Sequence, residues 1–316
     1  PKHVFLLKDN ILTIETFDNK DKTDCIYKEI MNTEIDKKKI NSLSLERRET
    51  KESYLNKVKR IKEHIQRGDI YEMNFCQEFY ATAQIDPLKT YFSLNSIAQT
   101  PFATFLKNGS HFLMSSSPER YIKKEASVIT SQPIKGTTRR SNNTSEDDDL
   151  KFVLKNDQKE RSENIMIVDL VRNDLSKIAR KGTVKVTELC ELHSFKQVHH
   201  MISTVEAEVS PTLSPVDVIS ATFPMGSMTG APKISAMKII EALEETKRGV
   251  YSGAVGYFTP EGDFDFNVVI RSILYNASNS YVSFSVGSAI TSKSTPQREY
   301  EECLVKAKAM RSVLEN

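Results

Sequence analysis

The sequence has few cysteines, no long apolar run and almost no excess of charge of either sign. Its four cysteines, Cys25, Cys76, Cys190 and Cys303, are widely separated and form no CxxC pair, so they indicate neither a zinc site nor a disulfide framework. The net charge of +2, from 44 basic and 42 acidic residues, lacks the basic excess typical of nucleic-acid-binding proteins. No apolar segment is long enough to span a bilayer, and the N-terminus lacks the apolar core of a signal peptide. We therefore expect a cytoplasmic protein with no membrane partner.

The chain has instead the composition of a globular protein. Of its 316 residues, 39% are hydrophobic and 27% are charged, which suits one large domain or two small ones around a substantial core. Two short apolar stretches, 4–7 and 11–14, precede a segment rich in Lys, Glu and Asn. We predict a short N-terminal segment, residues 1–52, packed on the same domain as residues 53–316, which form the main domain.

Segments predicted as strands occur in neighbouring groups, with helices between the groups. Asn108-Gly109 between two apolar runs predicts a hairpin, and "TPEGD" predicts another between strands 251–258 and 264–275. Gly68 is expected to end the helix "YLNKVKRIKEHIQR". This pattern predicts an α/β (α+β) fold of two mainly antiparallel β-sheets packed together, with helices on the outside.

One lysine has an unusual local setting. In "SQPIKGTTRR", Lys135 follows a predicted strand end and a proline, and it precedes Gly136, which permits close approach of a backbone or a ligand. Most lysines are solvated, and this chain has 44 Lys and Arg residues. A lysine held on such a corner can nevertheless be presented to a cavity, so Lys135 is a candidate functional residue.

Carboxylates on two helices form a candidate cation site. Glu299 and Glu302 are three residues apart and Lys306 follows four later, so all three can project from one side of the C-terminal helix. Taken alone, this spacing is typical of a solvated helix face. Glu163, however, opens "ENIMIVDL", a helix apolar enough to be buried, where a carboxylate needs a partner. Three carboxylates with oxygens free for waters and a substrate carboxylate would suit Mg²⁺.

Three further segments carry polar groups whose roles the residues alone leave open. "FPMGSMTGAPK" lacks the spacing of a P-loop, but its glycines and hydroxyls precede a helix and can receive an anion such as a carboxylate. Arg271, in a strand of β-branched residues, is either an outward-facing surface residue or a bidentate carboxylate clamp. His199 and His200 point to opposite faces of a strand, so at most one of them faces a given site.

The ordered set of motifs resembles the chorismate-utilising enzymes. The motifs run from about Ser53 to the C-terminus and are "GDIYEMNFCQEF", "SSSPER", "PIKGT", "ENIMIVDLVRND", "FPMGSMTGAPK", "SGAVGYF", "NVVIRS" and "PQREYEECLVKA". The resemblance implies a fold like that of anthranilate synthase component I and makes residues 53–316 a chorismate-binding catalytic domain. Within the family, "PIKGT" resembles the members that make 4-amino-4-deoxychorismate in the para-aminobenzoate branch of folate synthesis. Members that make anthranilate usually carry Ala in place of Lys135.

The resemblance also implies the residues of the site. Glu163, Glu299 and Glu302 match the positions that hold Mg²⁺, which in turn holds the ring carboxylate of chorismate. The expected substrate-binding positions are Thr137, His200, Ser227, Thr229, Lys233, Tyr257, Arg271, Gly287, Ala289 and Lys306.

The implied mechanism is covalent. Lys135, if unprotonated, attacks C2 of chorismate while the C4 hydroxyl leaves, and Glu119 of "SSSPER" protonates that hydroxyl. Ammonia then enters at C4 and displaces the lysine. Because an ordinary lysine is protonated at neutral pH, we expect burial or nearby positive charge to depress the pKa of Lys135, with Thr137 and Lys233 as candidate neighbours. No glutaminase Cys-His-Glu segment is visible, so a glutamine amidotransferase subunit is the expected source of ammonia.

Two residues depart from the family pattern, and two other functions stay open. Glu72 stands where amine-transferring members usually have Gln and isochorismate-forming members have a Lys base, which counts against isochorismate synthesis. Ser288 replaces the usual Gly or Ala. The alternatives are an anthranilate synthase component I and a non-catalytic homologue that binds chorismate or a partner. The second is disfavoured, because a pure binder has no use for both an acid, Glu119, and a nucleophile, Lys135.

Overall fold

The computed structural model describes residues 2–34, 42–196 and 198–316. The chain divides into two compact units, 1–39 and 40–316. In the smaller unit, β1 (His3–Lys8) pairs antiparallel with β2 (Ile11–Thr16), and helix α1 (Lys20–Asn32) follows. The turn between the two strands consists of Asp9 and Asn10, which both have positive φ, as a two-residue hairpin turn of type I′ requires.

The predicted N-terminal segment, residues 1–52, is divided between these two units. Residues 35–41 of that segment lie outside the described residues. In the larger unit, residues 42–52 contribute β3 (Glu46–Arg47), which pairs with β4 (Glu72–Thr82), and the start of α2 (Lys51–Arg67). The unit that carries the candidate site therefore begins before residue 53.

The larger unit contains two antiparallel sheets, each seven-stranded in the part of the chain that the structure describes. The first has the order β12-β4-β16-β15-β6-β5, with β3 also paired to β4. Its remaining strands are β5 (Phe102–Asn108), β6 (His111–Ser117), β12 (Gly230–Ala231), β15 (Ser272–Asn276) and β16 (Tyr281–Thr291).

The second sheet has the order β10-β11-β8-β7-β14-β13, and β9 pairs with β11 beside β8. Its strands are β7 (Arg120–Glu125), β8 (Val128–Gln132), β9 (Ile134–Arg139), β10 (Lys185–Ser194), β11 (Val198–Glu208), β13 (Ala254–Phe258) and β14 (Phe264–Val268).

The helices of the larger unit are distributed over the two sheets. They are α2, α3 (Pro87–Ala98), α4 (Thr144–Asn156), α5 (Gln158–Ser176), α6 (Pro215–Thr222), α7 (Lys233–Leu243) and α8 (Pro296–Glu315), with a 3₁₀ turn at Gly226–Met228. Helices α2 and α8 pack on β16 of the first sheet, whereas α5 packs on β9, β10 and β11 of the second. None of the helices in the described ranges is both long and apolar enough to cross a membrane.

Side-chain alternation along β4 explains which residues face the helices and which face the second sheet. Met73, Phe75 and Phe79 belong to the core that α2 and α8 cover, where they pack with residues such as Tyr54 and Phe284. The intervening side chains of Glu72, Asn74 and Cys76 point to the opposite face, because successive residues of a strand alternate. The same rule applies to β16, which pairs with β4 over its full length.

Most local predictions are confirmed. Asn108 and Gly109 connect β5 to β6, and Gly68 ends α2 in the left-handed conformation with φ +83°. The predicted class of two antiparallel sheets with helices on the outside is confirmed as well.

One predicted strand, 264–275, is wrong in a way that matters for the site. The chain forms β14 in the second sheet, leaves it after Val268, and enters β15 in the first sheet at Ser272. Arg271 lies at this crossing with φ +50°. A positive φ is uncommon for arginine, so the crossing itself fixes an unusual backbone at this residue.

Candidate active site

A cavity of about 430 Å³ is lined by residues of both sheets. Strands β4 and β16 supply Asn74 and Gly287 from the first sheet, and β9 and β11 supply Lys135 and His200 from the second. Helices α5 and α8 add polar side chains at its edge. The predicted residues that line this cavity are Lys135, Glu119, Thr137, Glu163, His200, Ser227, Arg271, Gly287, Ala289, Glu302 and Lys306.

Lys135 projects from β9 into a set of carboxylates. Its Nζ lies 3.1 Å from Glu163 Oε2 on α5 and 3.5 Å from Glu72 Oε1 on β4. Burial favours the neutral amine, but the negative charges of Glu72 and Glu163 outweigh it and raise the pKa of Lys135 above its usual range. The expectation of a depressed pKa is therefore wrong, and Lys233, one of the neighbours proposed for that effect, lies elsewhere.

The carboxylate oxygens around Lys135 have the chemistry of a hard-cation site. Glu163 Oε1 and Glu299 Oε2 are buried and have no hydrogen-bond partner in the part of the chain that the structure describes. The ammonium of Lys159, 3.7 Å from Glu163 Oε1, interacts electrostatically with Glu163, Glu299 and Glu302. A cation is thus already shared by the three predicted metal ligands, and unpartnered carboxylate oxygens are the donors that Mg²⁺ prefers.

These carboxylates are not arranged as a finished coordination sphere. Within the described ranges, no group of three His, Cys, Asp or Glu side chains is close enough together to hold a metal ion. Glu302 is paired with Lys306 at 2.7 Å, and Glu163 is paired with Lys135. The donor atoms are of the type that a divalent cation prefers, but the three side chains are not gathered around one point, and lysine ammonium groups neutralise two of them.

Glu119 occupies the loop between β6 and β7 and is 94% buried, its relative exposure being 6%. Burial raises the pKa of Glu119 to about 7, while the Ser227 hydroxyl and the charge of Lys135 act in the opposite direction. A carboxyl group with this pKa is partly protonated at neutral pH and can donate a proton.

His200 and Thr137 form one wall of the cavity. Thr137 Oγ1 and His200 Nδ1 are 2.8 Å apart, and burial lowers the pKa of His200 to about 4. His199 points to the opposite side of β11, where its Nε2 is 2.9 Å from Asp147 Oδ1. His200 lines the cavity and His199 does not, in agreement with the prediction that at most one of them faces a given site. Asp147 belongs to a buried polar network on the far side.

Arg271 presents a guanidinium group to the cavity from the crossing between the sheets. No hydrogen-bond acceptor for this side chain is found among residues 2–34, 42–196 and 198–316. The crossing is fixed by backbone bonds, in which the Val268 amide donates to the Glu119 carbonyl and the Ser116 amide donates to the Arg271 carbonyl. A guanidinium held without an acceptor in a cavity is suited to bind a carboxylate bidentately.

Gly287 and Lys306 form the floor of the cavity on the first sheet. A Cβ atom at Gly287 would lie 2.5 Å from Cys76 Sγ and 2.9 Å from the Phe75 carbonyl oxygen, so the position admits only glycine. Lys306 Nζ donates to the Gly287 carbonyl at 2.9 Å and so ties α8 to β16. Ser288 points away from the cavity and its hydroxyl lies 3.2 Å from the Tyr54 hydroxyl, so this departure from the family pattern does not alter the cavity wall.

Three predicted substrate-binding residues do not line the cavity, so their predicted contacts have no support in the structure. Thr229 is buried and its hydroxyl donates to the Met225 and Gly226 carbonyls. Lys233 Nζ binds Asp174 Oδ2 at 2.5 Å and two backbone carbonyls, which fully engages its donors. Tyr257 lies on β13 with 63% of its surface exposed.

Glu299 also lies outside the cavity lining, although it is buried with a free oxygen.

Five polar residues that line the cavity were not predicted from the sequence: Asn74, Lys159, Glu160, Tyr251 and Ser285. Tyr251 is buried and directly precedes "SGAVGYF", whereas the predicted residue was Tyr257, which lies within that motif. Lys159 had a detectable signal, because it lies four residues before Glu163 on the same helix and can pair with it.

Comparison with known proteins gives a consistent family. The model of a family described as chorismate binding enzyme matches residues 7–312. A probable aminodeoxychorismate synthase, chloroplastic, from rice (Oryza sativa subsp. japonica) is 40% identical over 84% of this chain and 30% of its own length. Aminodeoxychorismate synthase component 1 from Escherichia coli is 38% identical over 84% of this chain and 58% of its own length.

The crystal structure of anthranilate synthase component I from Streptococcus pneumoniae superposes with a TM-score of 0.85 at 28% identity. The superposition covers 98% of this chain and 72% of that protein. The chain spans less than two thirds of the length of the rice and Escherichia coli relatives.

Proposed function

Because the chain belongs to the family of chorismate-binding enzymes, we propose that it acts as component I of an aminodeoxychorismate synthase. It converts chorismate and ammonia to 4-amino-4-deoxychorismate, with ammonia delivered by a glutamine amidotransferase subunit. The observation that carries the proposal is that Lys135, Glu119 and Arg271 line one cavity. They supply a nucleophile, a proton donor and a carboxylate clamp, which are the groups this substitution requires.

In the first half of the reaction, Lys135 is consumed as a nucleophile. The carboxylates around Lys135 favour its ammonium form, so the ammonium first gives one proton to solvent. The neutral amine then forms a bond to C2 of chorismate, both ring double bonds shift, and the bond from C4 to its hydroxyl breaks. Glu119 gives its proton to the departing hydroxyl, which leaves as water. Arg271 holds a substrate carboxylate during this step, since its guanidinium has no competing acceptor among the described residues.

In the second half, ammonia releases the lysine. Its nitrogen forms a bond to C4, both ring double bonds shift back, and the bond between C2 and Lys135 breaks with the electron pair returning to the amine. The new ammonium group gives one proton to the Glu119 carboxylate, which restores the acid for the next cycle. The sum is chorismate plus ammonia giving 4-amino-4-deoxychorismate plus water.

The proposal includes Mg²⁺ held by Glu163, Glu299 and Glu302. When bound, this ion supplies Lewis-acid stabilisation of the ring carboxylate as the hydroxyl departs. Glu163 Oε1 and Glu299 Oε2, which have no hydrogen-bond partner among the described residues, support the assignment.

A second candidate is anthranilate synthase component I. The similarity to the Streptococcus pneumoniae protein favours it, since that structure covers nearly the whole chain. Lys135 in the cavity favours the first candidate, because a nucleophile that attacks C2 leads to amination at C4, whereas anthranilate carries its nitrogen at C2.

One assay distinguishes these functions. The protein is incubated with chorismate, Mg²⁺ and ammonium salts, and the products are separated by liquid chromatography. We expect no fluorescent anthranilate, and we expect para-aminobenzoate only after an aminodeoxychorismate lyase is added. Direct appearance of anthranilate would establish the second candidate instead.

The covalent role of Lys135 is tested with Lys135→Ala. Product formation should fall by at least about a thousandfold, within the range that removal of a key catalytic group produces. Lys181→Ala, at an exposed lysine outside the cavity, is the matched control and should retain the wild-type rate. Formation of 4-amino-4-deoxychorismate by Lys135→Ala at the wild-type rate would rule out the lysine adduct.

A further inference from the structure

Glu72 is a buried carboxylate that the proposed reaction does not use. Its side chain is 3% exposed and does not line the cavity, yet its Oε1 lies 3.5 Å from Lys135 Nζ. Its other oxygen, Oε2, is buried and has no hydrogen-bond partner among the residues that the structure describes. A buried carboxylate with a free oxygen is costly to a fold, so its presence next to the candidate nucleophile requires an explanation.

Lys135 and a cation at Glu163 compete for the same carboxylate. Glu163 Oε2 is the nearest carboxylate oxygen to Lys135 Nζ, at 3.1 Å, and Glu163 is also one of the two predicted metal ligands, with Glu302, that line the cavity. An ammonium and a divalent cation on one carboxylate repel each other strongly in a buried site. Binding of the divalent cation therefore requires Lys135 to move to another acceptor.

The two lysines beside Glu163 differ in their exposure to solvent. The side chain of Lys159 is 42% exposed, so water can solvate its ammonium when a cation binds to Glu163. The side chain of Lys135 is only 16% exposed, and a buried ammonium without a partner is strongly destabilising. Glu72 is the carboxylate already in contact with it, and the free Oε2 gives it capacity for a closer bond.

We propose that Glu72 is a positioning residue that takes Lys135 from Glu163 when a divalent cation binds, so that cation and lysine occupy the site together. The inference rests on the proposed function in one respect, namely Glu163 as a cation ligand. It assigns to the buried carboxylate on β4 the task of holding the nucleophile in the loaded site. It also explains why a carboxylate suits this position better than an uncharged polar side chain.

The test measures cation binding rather than turnover. Mn²⁺ alone is titrated into the full chain and free Mn²⁺ is followed by electron paramagnetic resonance, with Mg²⁺ affinity obtained by competition. Glu72→Gln should raise the dissociation constant about tenfold, the lower end of the loss seen when an outer partner of a metal site is removed. Glu160→Gln removes a carboxylate of the cavity lining that forms no ion pair with Lys135 in the described part of the chain, and it should raise the constant less than about fivefold.

A double-mutant cycle distinguishes the movement of Lys135 from Glu163 to Glu72 from a simple loss of negative charge. In a Lys135→Met background there is no ammonium to move, so adding Glu72→Gln should weaken binding no more than Glu160→Gln does in the wild type. Equal effects of Glu72→Gln and Glu160→Gln, or an undiminished Glu72→Gln effect without Lys135, would overturn the proposal. If Glu72→Gln does not fold, Glu72→Asp replaces it in the same cycle. The shorter Asp side chain should cause a smaller loss of cation affinity, and that loss should disappear in the Lys135→Met background.

The outcome is distinguishable from failure of the proposed function. Cation binding that couples Glu72 to Lys135, in a protein that makes no 4-amino-4-deoxychorismate, would support this inference and reject the activity. Product formation with no such coupling would reject this inference alone. A wild-type chain that binds neither Mn²⁺ nor Mg²⁺ at millimolar concentration would also reject it.

Discussion

Thr137 Oγ1 lies 2.8 Å from Nδ1 of His200, its direct partner across the pair of strands β9 and β11. Burial, with the positive charge of Arg271, lowers the pKa of His200 to about 4, so the ring is neutral at physiological pH. An unfolded chain has a histidine pKa near about 6.5. The stability contributed by the buried neutral ring is therefore complete above about pH 6.5 and is lost as the pH falls towards 4.

We expect His200 to make the fold sensitive to mild acid. Between pH 8 and pH 5 it should lower the free energy of unfolding by about 2 kcal/mol. Urea unfolding at the two pH values measures the difference, and His200→Gln should lack this part of it. An equal pH dependence in the variant would mean that His200 is not buried in its neutral form.

Glu119 should set an upper pH limit on activity. Its pKa of about 7 means that the protonated form, which the proposed reaction needs, disappears as the pH rises through 7. The ratio kcat/KM, which reports the pKa values of the free enzyme, should fall above this pH. Glu119→Gln should lower kcat by about 10²- to 10⁴-fold and remove the limb near pH 7 from the remaining activity. A variant that keeps this limb would show that another group donates the proton.

Arg271 should affect substrate binding more than the chemical step. Arg271→Lys keeps a positive charge but loses the fork of donors that binds a carboxylate bidentately. We expect KM for chorismate to rise at least about tenfold, corresponding to about 1.4 kcal/mol, with a smaller change in kcat. Arg298→Lys, outside the cavity lining, provides the comparison and should leave both constants unchanged. A fall in kcat with constant KM would contradict the clamp.

Lys233 should behave as a structural residue. Its ammonium binds Asp174 Oδ2 at 2.5 Å and the carbonyls of Thr222 and Pro224, so Lys233→Met leaves a buried carboxylate with Lys177 as its remaining partner. The free energy of unfolding should fall by about 2 kcal/mol or more. KM for chorismate should change little in the folded variant. A large rise in KM with unchanged stability would restore the substrate-binding role.

The sequence is informative where a local signal decides the structure. Asn108-Gly109 and Gly68 have backbone preferences that hold in any context, and both predictions were confirmed. Glu119 and Lys135 were also predicted from the sequence, because "SSSPER" and "PIKGT" occur in the same order as in the family that the chain resembles. Both residues line the cavity.

The sequence is less informative where long-range packing decides. Residues 264–275 read as one strand because their apolar and β-branched residues continue through the point where the chain changes sheets. The pKa of Lys135 depends on Glu72 and Glu163, which come from β4 and α5, and no local pattern indicates that three such distant segments meet. Lys233 and Tyr257 lie in the right motifs, but the side chains point elsewhere.

The passage of the chain from β14 to β15 has a consequence for how this protein assembles. The guanidinium of Arg271 and the backbone of Glu119 are tied to one short crossing, so neither reaches its working position until both sheets exist. A partly folded molecule with only one of the two sheets would lack part of the cavity lining, and Arg271 would not be held in position to bind an anion. We therefore expect anion binding to be lost in a single step during denaturant unfolding. Unfolding of either sheet should abolish binding and not reduce the affinity gradually.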